Sequence, residues 1–430
     1  MLENIGSYSG KSILKRLIMA QIPVAATSQT GLAEGQSYRP ALVTLAVLYF
    51  MMGLITCLND TLVPFFKNSF QLTYTQSALV QFYFFFTYGV MSIPAGVLVS
   101  KFGFKQSMVA GFAVAAVGTF LFFPASLMHQ YYLFLAALFI LAVGIVILQV
   151  AANPYITLLG PPETASSRFN LIQALGSLGT TVAPLLGLWY ILSETSHVGQ
   201  SSEAVRLPYL CITALVILIA FVISQLKLPN PVAQVPNAVE GQAGIFAFRN
   251  LRFGLVALFC YVGAEVSIGS FLTNYIADTA GIVENEAVTY VAFYWGSMLV
   301  GRFIGAGVLK IVRAPLVLSI CAVAAVLLIA VSVTSTGMLA AWTMVAVGLC
   351  NSIMFATIFS LSVAGLEEHA TRASGWLSTA IVGGAVISFL QGWLIDHFNW
   401  QVAFMLPLVC YVFILFFGLN GYKERKFDTP

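Results

Sequence analysis

Charged residues are scarce in this sequence. Asp, Glu, Lys and Arg together make up 8% of the 430 residues, whereas 59% are hydrophobic and the mean hydropathy is +0.92. A soluble domain carries about 25% charged residues, because its surface must stay in contact with water. The shortage of charge therefore excludes a soluble globular protein and indicates an integral membrane protein.

Motifs of catalysis and of metal binding are also missing. The sequence has no HExxH pattern, no Walker-type lysine loop and no basic stripe of the kind that binds nucleic acid. The cysteines lie within apolar segments without CxxC or metal spacing, so we interpret them as small packing residues. They are Cys57, Cys211, Cys260, Cys321, Cys350 and Cys410. We therefore expect no enzyme activity, no cofactor, no metal site and no nucleic-acid partner.

What the sequence has instead is a series of long apolar runs. A helix that crosses a bilayer needs about 20 apolar residues, and about twelve segments meet that requirement. They span roughly 41–66, 77–100, 106–126, 131–159, 169–193, 207–227, 250–277, 287–309, 314–334, 337–364, 372–395 and 400–420. The expected fold class is an all-α membrane protein with twelve transmembrane helices.

The distribution of positive charge predicts the orientation. All but two of the 19 lysines and arginines fall on the side of the N-terminus, the exceptions being Lys67 and Arg206. Cytoplasmic loops are enriched in these residues, so both termini are expected in the cytoplasm. We predict a cytoplasmic tail at 1–39, a six-helix bundle at 40–227, a Pro-rich cytoplasmic linker at 228–249, a second six-helix bundle at 250–421 and a tail at 422–430.

The N-terminal tail has one alternative interpretation. Lys15 and Arg16 precede a short apolar stretch that faintly resembles a signal peptide, but Gln21 and Pro23 interrupt that stretch. We favour a cytoplasmic tail over a cleaved leader.

The two bundles show signs of an internal repeat, as duplicated transporters do. An offset of 205 residues superimposes glycines and a lysine at corresponding helix ends, and it also superimposes Asp60 on Glu265. The other superimposed pairs are Gly96 with Gly301, Lys105 with Lys310, Gly160 with Gly365 and Gly187 with Gly392. The repeat predicts two pseudo-symmetric halves.

Asp60 and Glu265 are also the two acids predicted to lie deepest in the membrane. A carboxylate in a bilayer is costly and is a functional hypothesis by default. Removed from water, it takes up a proton more readily, so it can bind and release one as access alternates. The alternative is a structural hydrogen-bond anchor. Arg302, near the inner end of predicted helix eight, is expected to be a clamp at the cytoplasmic face rather than a substrate ligand.

Uncharged amides are grouped on several predicted helices. Gln149 and Asn153 are four residues apart, and Asn170 and Gln173 are three apart, so each pair shares a helix face. Amides donate and accept hydrogen bonds, as a hydroxylated solute requires. The alternative is hydrogen bonding between helices. The candidate substrate-binding residues are Asn59, Gln81, Gln149, Asn153, Asn170, Gln173, Asn274 and Asn351.

Several of these segments resemble the fucose/glucose–galactose:cation symporter branch of the major facilitator superfamily. The resemblance covers about residues 40–420. It is carried by Asn59-Asp60-Thr-Leu-Val-Pro64, Gln149-Val-Ala-Ala-Asn-Pro154-Tyr155, Leu159-Gly160-Pro161, Arg168-Phe-Asn-Leu-Ile-Gln173 and Tyr261-Val-Gly-Ala-Glu265-Val. It implies the major facilitator fold and sugar symport with alternating access.

The resemblance also implies roles for single residues. The acid that matches Asp60 would be the protonatable coupling residue, and Asn170 would match the family's asparagine on helix five. Fucose permeases have a glutamate at the position of Gln149, whereas the glucose/galactose-type members have a glutamine, as here. This difference favours glucose or galactose over fucose and removes one titratable group from the site.

We therefore expect a monomeric importer of a neutral hexose in the inner membrane of a bacterium, in contact with lipid and coupled to protons. Asp60 and Glu265 are the expected ion-coupling residues. Sodium coupling, a fucose or N-acetylhexosamine substrate, and efflux of a small metabolite or drug are the alternatives. Efflux would favour a more apolar cavity with fewer amides.

Overall fold

The computed structural model describes residues 38–69, 74–195, 206–229, 245–366 and 369–423. Within these ranges, the side chains of 57–69, 74–83, 183–195, 284–285 and 288 are outside the described set. Most of the predicted N-terminal tail, of the linker and of the C-terminal tail lies outside the described residues, so this division of the chain stays a prediction.

The described residues are almost entirely helical. The first half contains α1 (Arg39–Ser69), α2 (Tyr74–Phe120), α3 (Phe122–Met128), α4 (Tyr131–Leu158), α5 (Ala165–Thr195) and α6 (Arg206–Gln225). The second half contains α7 (Arg249–Ala280), α8 (Glu284–Val308), α9 (Ala314–Thr334), α10 (Gly337–Asn351), α11 (Met354–Val363), α12 (Ala370–Thr379), α13 (Gly383–His397) and α14 (Trp400–Phe416). Most bounds lie within a few residues of the predicted apolar segments.

Helix α2 contains two membrane crossings. It has 47 residues and would be about 70 Å long if straight, more than twice the roughly 30 Å hydrocarbon core of a bilayer. The helix breaks at Gly103, whose φ of 77° lies in the left-handed region that glycine adopts without strain. The sequence predicts this break, because it places separate spans at 77–100 and 106–126.

Ten helical segments within the described residues are long and apolar enough to cross a membrane. One of them is the Phe84–Met128 segment of 45 residues, which the break at Gly103 divides in two. Helix α5, with 31 residues, is long enough to form another crossing. Helices α10 and α11 together form one crossing, as do α12 and α13. This count agrees with the twelve helices expected from the sequence.

Glycines allow the helices of each half to approach closely. Between α1 and α5, a Cβ atom on Gly53 would overlap the carbonyl oxygen of Gly176, and one on Gly179 would lie 2.9 Å from the amide nitrogen of Leu54. Small residues at such crossings allow the van der Waals packing that holds helices together in lipid. Large apolar side chains on the outer surface, among them Leu218, Phe221, Leu327, Phe389 and Val409, are exposed as expected of a lipid-facing surface.

The two halves share one backbone feature at corresponding positions. Gly160 follows α4 and Gly365 follows α11, and these positions correspond under the offset of 205 residues. Both glycines have positive φ, 104° and 70° respectively. A residue with a side chain rarely adopts such values. The backbone conformation that the two positions share therefore explains why glycine occurs at both.

The halves meet on the side of the molecule where α1 begins, which we call the terminus side. Ser166 Oγ and Ser360 Oγ are 2.6 Å apart, and Ser167 Oγ donates to the Ala306 carbonyl oxygen at 2.6 Å. These residues lie near the beginning of α5 and the ends of α11 and α8. Another hydrogen bond runs from Ser374 Oγ to the Val150 carbonyl oxygen, at 3.0 Å. The two halves are therefore closed against each other on the terminus side.

Candidate functional site

A cavity of about 220 Å³ lies between the two halves. Its position follows from the fold, because both halves contribute helices to its wall. The lining residues are Tyr49, Thr56, Phe84, Tyr88, Gln149, Asn153 and Gln173 from the first half and Tyr261, Val262, Glu265, Arg302, Phe355 and Ile381 from the second. The described lining residues combine amides, aromatic rings and one pair of opposite charges.

Three amides give the first half's wall its hydrogen-bonding capacity. Gln149 and Asn153 are one turn apart on α4, and Gln173 lies on α5. The Tyr49 hydroxyl donates to Asn153 Oδ1. Each of these three side chains has one buried amide atom without a hydrogen-bond partner in the structure, namely Gln149 Oε1, Asn153 Nδ2 and Gln173 Oε1. Buried polar atoms without a partner are costly, so these two acceptors and one donor are available to a polar ligand.

The second half contributes the charged part of the wall. Tyr261 and Glu265 are one turn apart on α7, and Arg302 lies on α8. The Glu265 carboxyl and the Arg302 guanidinium line the same cavity, without a hydrogen bond or ion pair between them in the described structure. Arg302 Nη1 also donates to Ser177 Oγ of α5, across the interface between the halves. Opposite charges in one cavity partly compensate each other, which lowers the cost of keeping both in the membrane.

Aromatic rings close the cavity towards the terminus side. Tyr49 and Phe355 line the cavity, and the fully buried Phe169 lies between them, with ring centroids 6.3 Å and 6.2 Å away. Phe359 packs against Phe169 at 5.4 Å. We call these four rings (Tyr49, Phe169, Phe355 and Phe359) the aromatic floor of the cavity. Because Phe169 belongs to the first half and Phe355 and Phe359 to the second, the aromatic floor forms only when the two halves are in contact.

Two amides expected to bind substrate do not line the cavity. Asn170 is completely buried, and its Nδ2 donates to the Ser166 carbonyl oxygen of its own helix at 3.0 Å. Asn274, near the far end of α7, is exposed. Asn170 shares a face with Gln173 in sequence spacing, but the rotation of α5 turns only Gln173 towards the cavity.

Asn351 also lies away from the cavity and supports its wall. Its Nδ2 donates to the Tyr294 hydroxyl at 2.8 Å, and its Oδ1 accepts from the Tyr411 hydroxyl at 2.6 Å. Tyr294 in turn donates to the carbonyl oxygen of Glu265 at 3.2 Å. Asn351 is therefore positioned to anchor the turn of α7 that carries Glu265.

Three further predicted residues fall where side chains are not described. Asn59, Asp60 and Gln81 belong to α1 and α2, but their side chains lie outside the described residues. Their predicted roles stay predictions. Asp60 follows the cavity-lining Thr56 by four residues in the same helix.

Sequence reasoning missed several lining residues. Arg302 was expected at the cytoplasmic face, yet it lines the cavity. Its distance of six residues from the end of α8 was compatible with either position. Tyr49 and Tyr261 were missed as well. Tyr261 could have been found from its spacing of four residues before Glu265, which places both on one helix face.

The sequence profile of the Major Facilitator Superfamily matches residues 45–388, which include helices from both halves. The chain belongs to the major facilitator superfamily. Its members are membrane transporters rather than enzymes, as the scarcity of charge and of catalytic motifs predicted. The recognition of the fucose/glucose–galactose branch from the sequence motifs is confirmed by individual relatives.

One relative is a glucose/galactose transporter of Brucella abortus biovar 1 (strain 9-941), with 46% identity over 94% of this chain and 99% of the relative. Another is an L-fucose-proton symporter of Escherichia coli (strain K12), with 32% identity over 90% of this chain and 94% of the relative. The crystal structure of the major facilitator transporter FucP in the outward conformation is similar as well. It has a TM-score of 0.82, 29% sequence identity, and coverage of 90% of this chain and 99% of that one.

Proposed function

We propose that this protein imports a neutral hexose of the glucose or galactose type by proton-coupled symport. The observation that carries the proposal is the cavity between the halves, where Gln149, Asn153 and Gln173 present buried hydrogen-bonding atoms without a partner in the structure. A neutral sugar offers hydroxyl groups that both donate and accept, so it can satisfy the two acceptors and the donor at once.

The aromatic lining suits the same ligand. Tyr88 and Phe84 lie next to each other in the cavity wall, with ring centroids 5.2 Å apart, and Phe355 lines the cavity from the second half. Aromatic faces pack well against the C–H side of a pyranose ring. A cavity for an apolar drug would gain nothing from three unpartnered amide atoms, so the lining favours sugar import over drug efflux.

Glucose or galactose is the proposed substrate for two reasons. The Brucella abortus relative, at 46% identity, is a glucose/galactose transporter. The resemblance of the sequence motifs also implies that the glutamine at position 149 is the glucose/galactose-type residue, in place of the glutamate of fucose permeases. Fucose and N-acetylhexosamines are the alternatives that the uptake experiment below must separate.

Asp60 and Glu265 are the proposed coupling residues. Glu265 lines the cavity, and Asp60 is four residues beyond the cavity-lining Thr56 in α1. The Escherichia coli relative is a proton symporter, which favours the proton over sodium as the coupling ion. In the proposed cycle, Asp60 binds a proton when the site is open to the outside and releases it to the inside.

The membrane orientation is part of the proposal. With the lysines and arginines gathered on the terminus side, the positive-inside rule places both termini in the cytoplasm of a bacterium. Closure of the halves on the terminus side then makes the described state one that faces outward. We further propose that the protein acts as a monomer surrounded by inner-membrane lipid.

The test is uptake by proteoliposomes. Labelled glucose, galactose, fucose and N-acetylglucosamine are offered in turn, with an inward gradient of protons, an inward gradient of sodium, or no gradient. We expect glucose or galactose to accumulate with the proton gradient alone. Accumulation driven only by sodium would show that sodium, not the proton, is the coupling ion. A preference for fucose or N-acetylglucosamine would show that the substrate is not glucose or galactose. If no sugar accumulates under either gradient, the proposal fails.

A further inference from the structure

Arg302 is a cation that lines the cavity, and it forms a hydrogen bond to the first half that the binding of a neutral sugar does not require. A charged side chain at this depth is expensive and is a functional hypothesis by default. Its Nη1 donates to Ser177 Oγ, while its Nε is buried without a hydrogen-bond partner in the structure. The guanidinium is thus only partly satisfied in the described state.

Ser177 is well suited to accept this hydrogen bond. Its hydroxyl donates to the Gln173 carbonyl oxygen of the preceding turn at 3.1 Å, which leaves the oxygen lone pairs directed away from α5. Gln173 lines the cavity itself. The bond therefore ties the sugar-binding part of α5 directly to α8 of the other half.

Glu265 stands on the same side of the interface as Arg302. Helices α7 and α8 are held together by the hydrogen bond from the Tyr294 hydroxyl to the Glu265 carbonyl oxygen, at 3.2 Å. The Glu265 carboxyl and the Arg302 guanidinium line one cavity and carry opposite charges, and in the described state they form no ion pair with each other. Because both belong to the second half, they stay together when the halves move.

Opening the terminus side must separate α5 from α8, since Ser167 Oγ and the Ala306 carbonyl oxygen hold these helices together there. The hydrogen bond between Arg302 and Ser177 crosses the same interface and must break as well. A buried guanidinium left without a partner would carry a large desolvation cost. Among the described cavity residues of the second half, the Glu265 carboxyl and the Tyr261 hydroxyl remain as acceptors, and Glu265 is the one that can carry a negative charge.

We infer that Arg302 exchanges partners during transport, with Ser177 in the state closed on the terminus side and Glu265 in the state open on that side. This inference rests on the proposed function, because it assumes that the two halves alternate. Ser177 and Arg302 together stabilise the described state. Glu265 and Arg302 together stabilise the opposite one, so Arg302 is a positioning residue that sets the balance between the two states.

The test measures that balance without transport. Spin labels are attached to cysteines introduced at Glu163 and Lys310, which are exposed and flank α5 and α8 on the terminus side. The six native cysteines are replaced by alanine. In sugar-free proteoliposomes, the distances between the labels report the ratio of the open to the closed state.

We expect Ser177→Ala to raise the open-to-closed ratio at least about fivefold, because hydrogen bonds to charged groups are stronger than neutral ones. Ser177→Thr keeps the hydroxyl acceptor and should keep the wild-type ratio. Glu265→Gln removes the charge that attracts Arg302 in the open state and should lower the ratio. In an Arg302→Gln background, Ser177→Ala should have no further effect.

Ser167→Ala is the matched control, since it removes another hydrogen bond between the same two helices without touching Arg302. Its effect should persist in the Arg302→Gln background. An unchanged ratio in Ser177→Ala, an undiminished effect of Ser177→Ala in the Arg302→Gln background, or a rise of the ratio in Glu265→Gln would each overturn the inference. Because the labels report conformation, failure of sugar uptake with the expected distances would overturn the proposed substrate and leave the exchange of partners standing.

Discussion

The amides of the cavity differ in how far the protein satisfies them. Asn153 accepts a hydrogen bond from Tyr49, whereas Gln149 Oε1 and Gln173 Oε1 have no partner in the structure. A ligand hydroxyl that donates to either glutamine removes the cost of burying an unpartnered acceptor. Binding at these residues thus relieves an unfavourable burial in the protein and also forms new hydrogen bonds to the sugar.

Gln149→Ala is expected to raise the half-saturation concentration for sugar about tenfold, since loss of one hydrogen bond of about 1.4 kcal/mol corresponds to that factor. The measurement is the concentration dependence of initial uptake. Gln225→Ala, at the exposed end of α6, is the matched control and should leave it unchanged. An unchanged half-saturation concentration in Gln149→Ala would show that the sugar does not bind at this part of α4.

Asp60→Asn is expected to abolish accumulation against a gradient, because an amide cannot carry the coupled proton, while exchange of labelled for unlabelled sugar continues. Both are measured in the same proteoliposomes. Asp396→Asn changes an exposed acid at the end of α13 and should preserve both activities. Accumulation at the wild-type level by Asp60→Asn would remove its coupling role.

Asn351→Ala is expected to destabilise the protein by about 2 kcal/mol, because the Tyr411 hydroxyl loses its acceptor and the Tyr294 hydroxyl loses its donor in a buried site. Thermal unfolding in detergent measures this loss. The exposed Asn274 offers a matched control, since Asn274→Ala removes the same group without burial. Equal stabilities of the two variants would show that the network around Asn351 contributes little.

At the scale of elements, close approach of helices replaces the hydrophobic effect as the source of packing in lipid. Helices α1 and α5 touch through glycines, whereas other glycines have open space around them. Gly179 and Gly296 are both helical, but a Cβ on Gly179 would collide with the backbone of Phe50, and one on Gly296 would meet no atom within 4 Å. The same substitution should therefore have opposite effects at the two positions.

Gly179→Ala is expected to lower the unfolding temperature, because α1 and α5 must move apart to make room for the methyl group. Gly296→Ala should raise it slightly, since alanine favours a helix by about 0.5–1 kcal/mol over glycine where space permits. Thermal unfolding of both variants in the same detergent compares them. A shift of the same sign in both would contradict the assignment of α1 and α5 as a tight glycine-mediated contact.

At the scale of the whole molecule, two similar halves enclose one site and touch on the terminus side. The contacts there are hydrogen bonds of serine hydroxyl groups and the aromatic floor around Phe169. Hydroxyl groups can exchange their partners for water when the interface opens. An interface of this composition is stable when closed and can also open.

Cysteines in place of Ser166 and Ser360 are expected to hold the protein closed on the terminus side by a disulfide bond. The two hydroxyl oxygens are 2.6 Å apart, so a disulfide can form after mild oxidation in a background without native cysteines. The proposed alternation requires these residues to separate, so oxidation should stop uptake and reduction should restore it. Each single cysteine variant is the control and should be insensitive to the oxidant. Continued uptake by the cross-linked protein would exclude opening on the terminus side.

The sequence by itself determined the class of the protein, its apolar spans and its family. Hydropathy and charge are local properties of the chain, so a window of residues suffices to recognise a span, and the motif around Gln149 and Asn153 suffices to recognise the branch. The repeat was readable as well, because Gly160 and Gly365 keep glycine where the backbone needs positive φ.

Only the tertiary structure decided which polar residues meet. Asn170 and Gln173 are three residues apart, yet one packs inside its own half and the other faces the cavity. Arg302, expected at the membrane surface, turns inward to Ser177 of the other half. The rotation of each helix depends on glycine contacts and side-chain packing with distant parts of the chain, and such long-range contacts are not encoded in any local window of sequence.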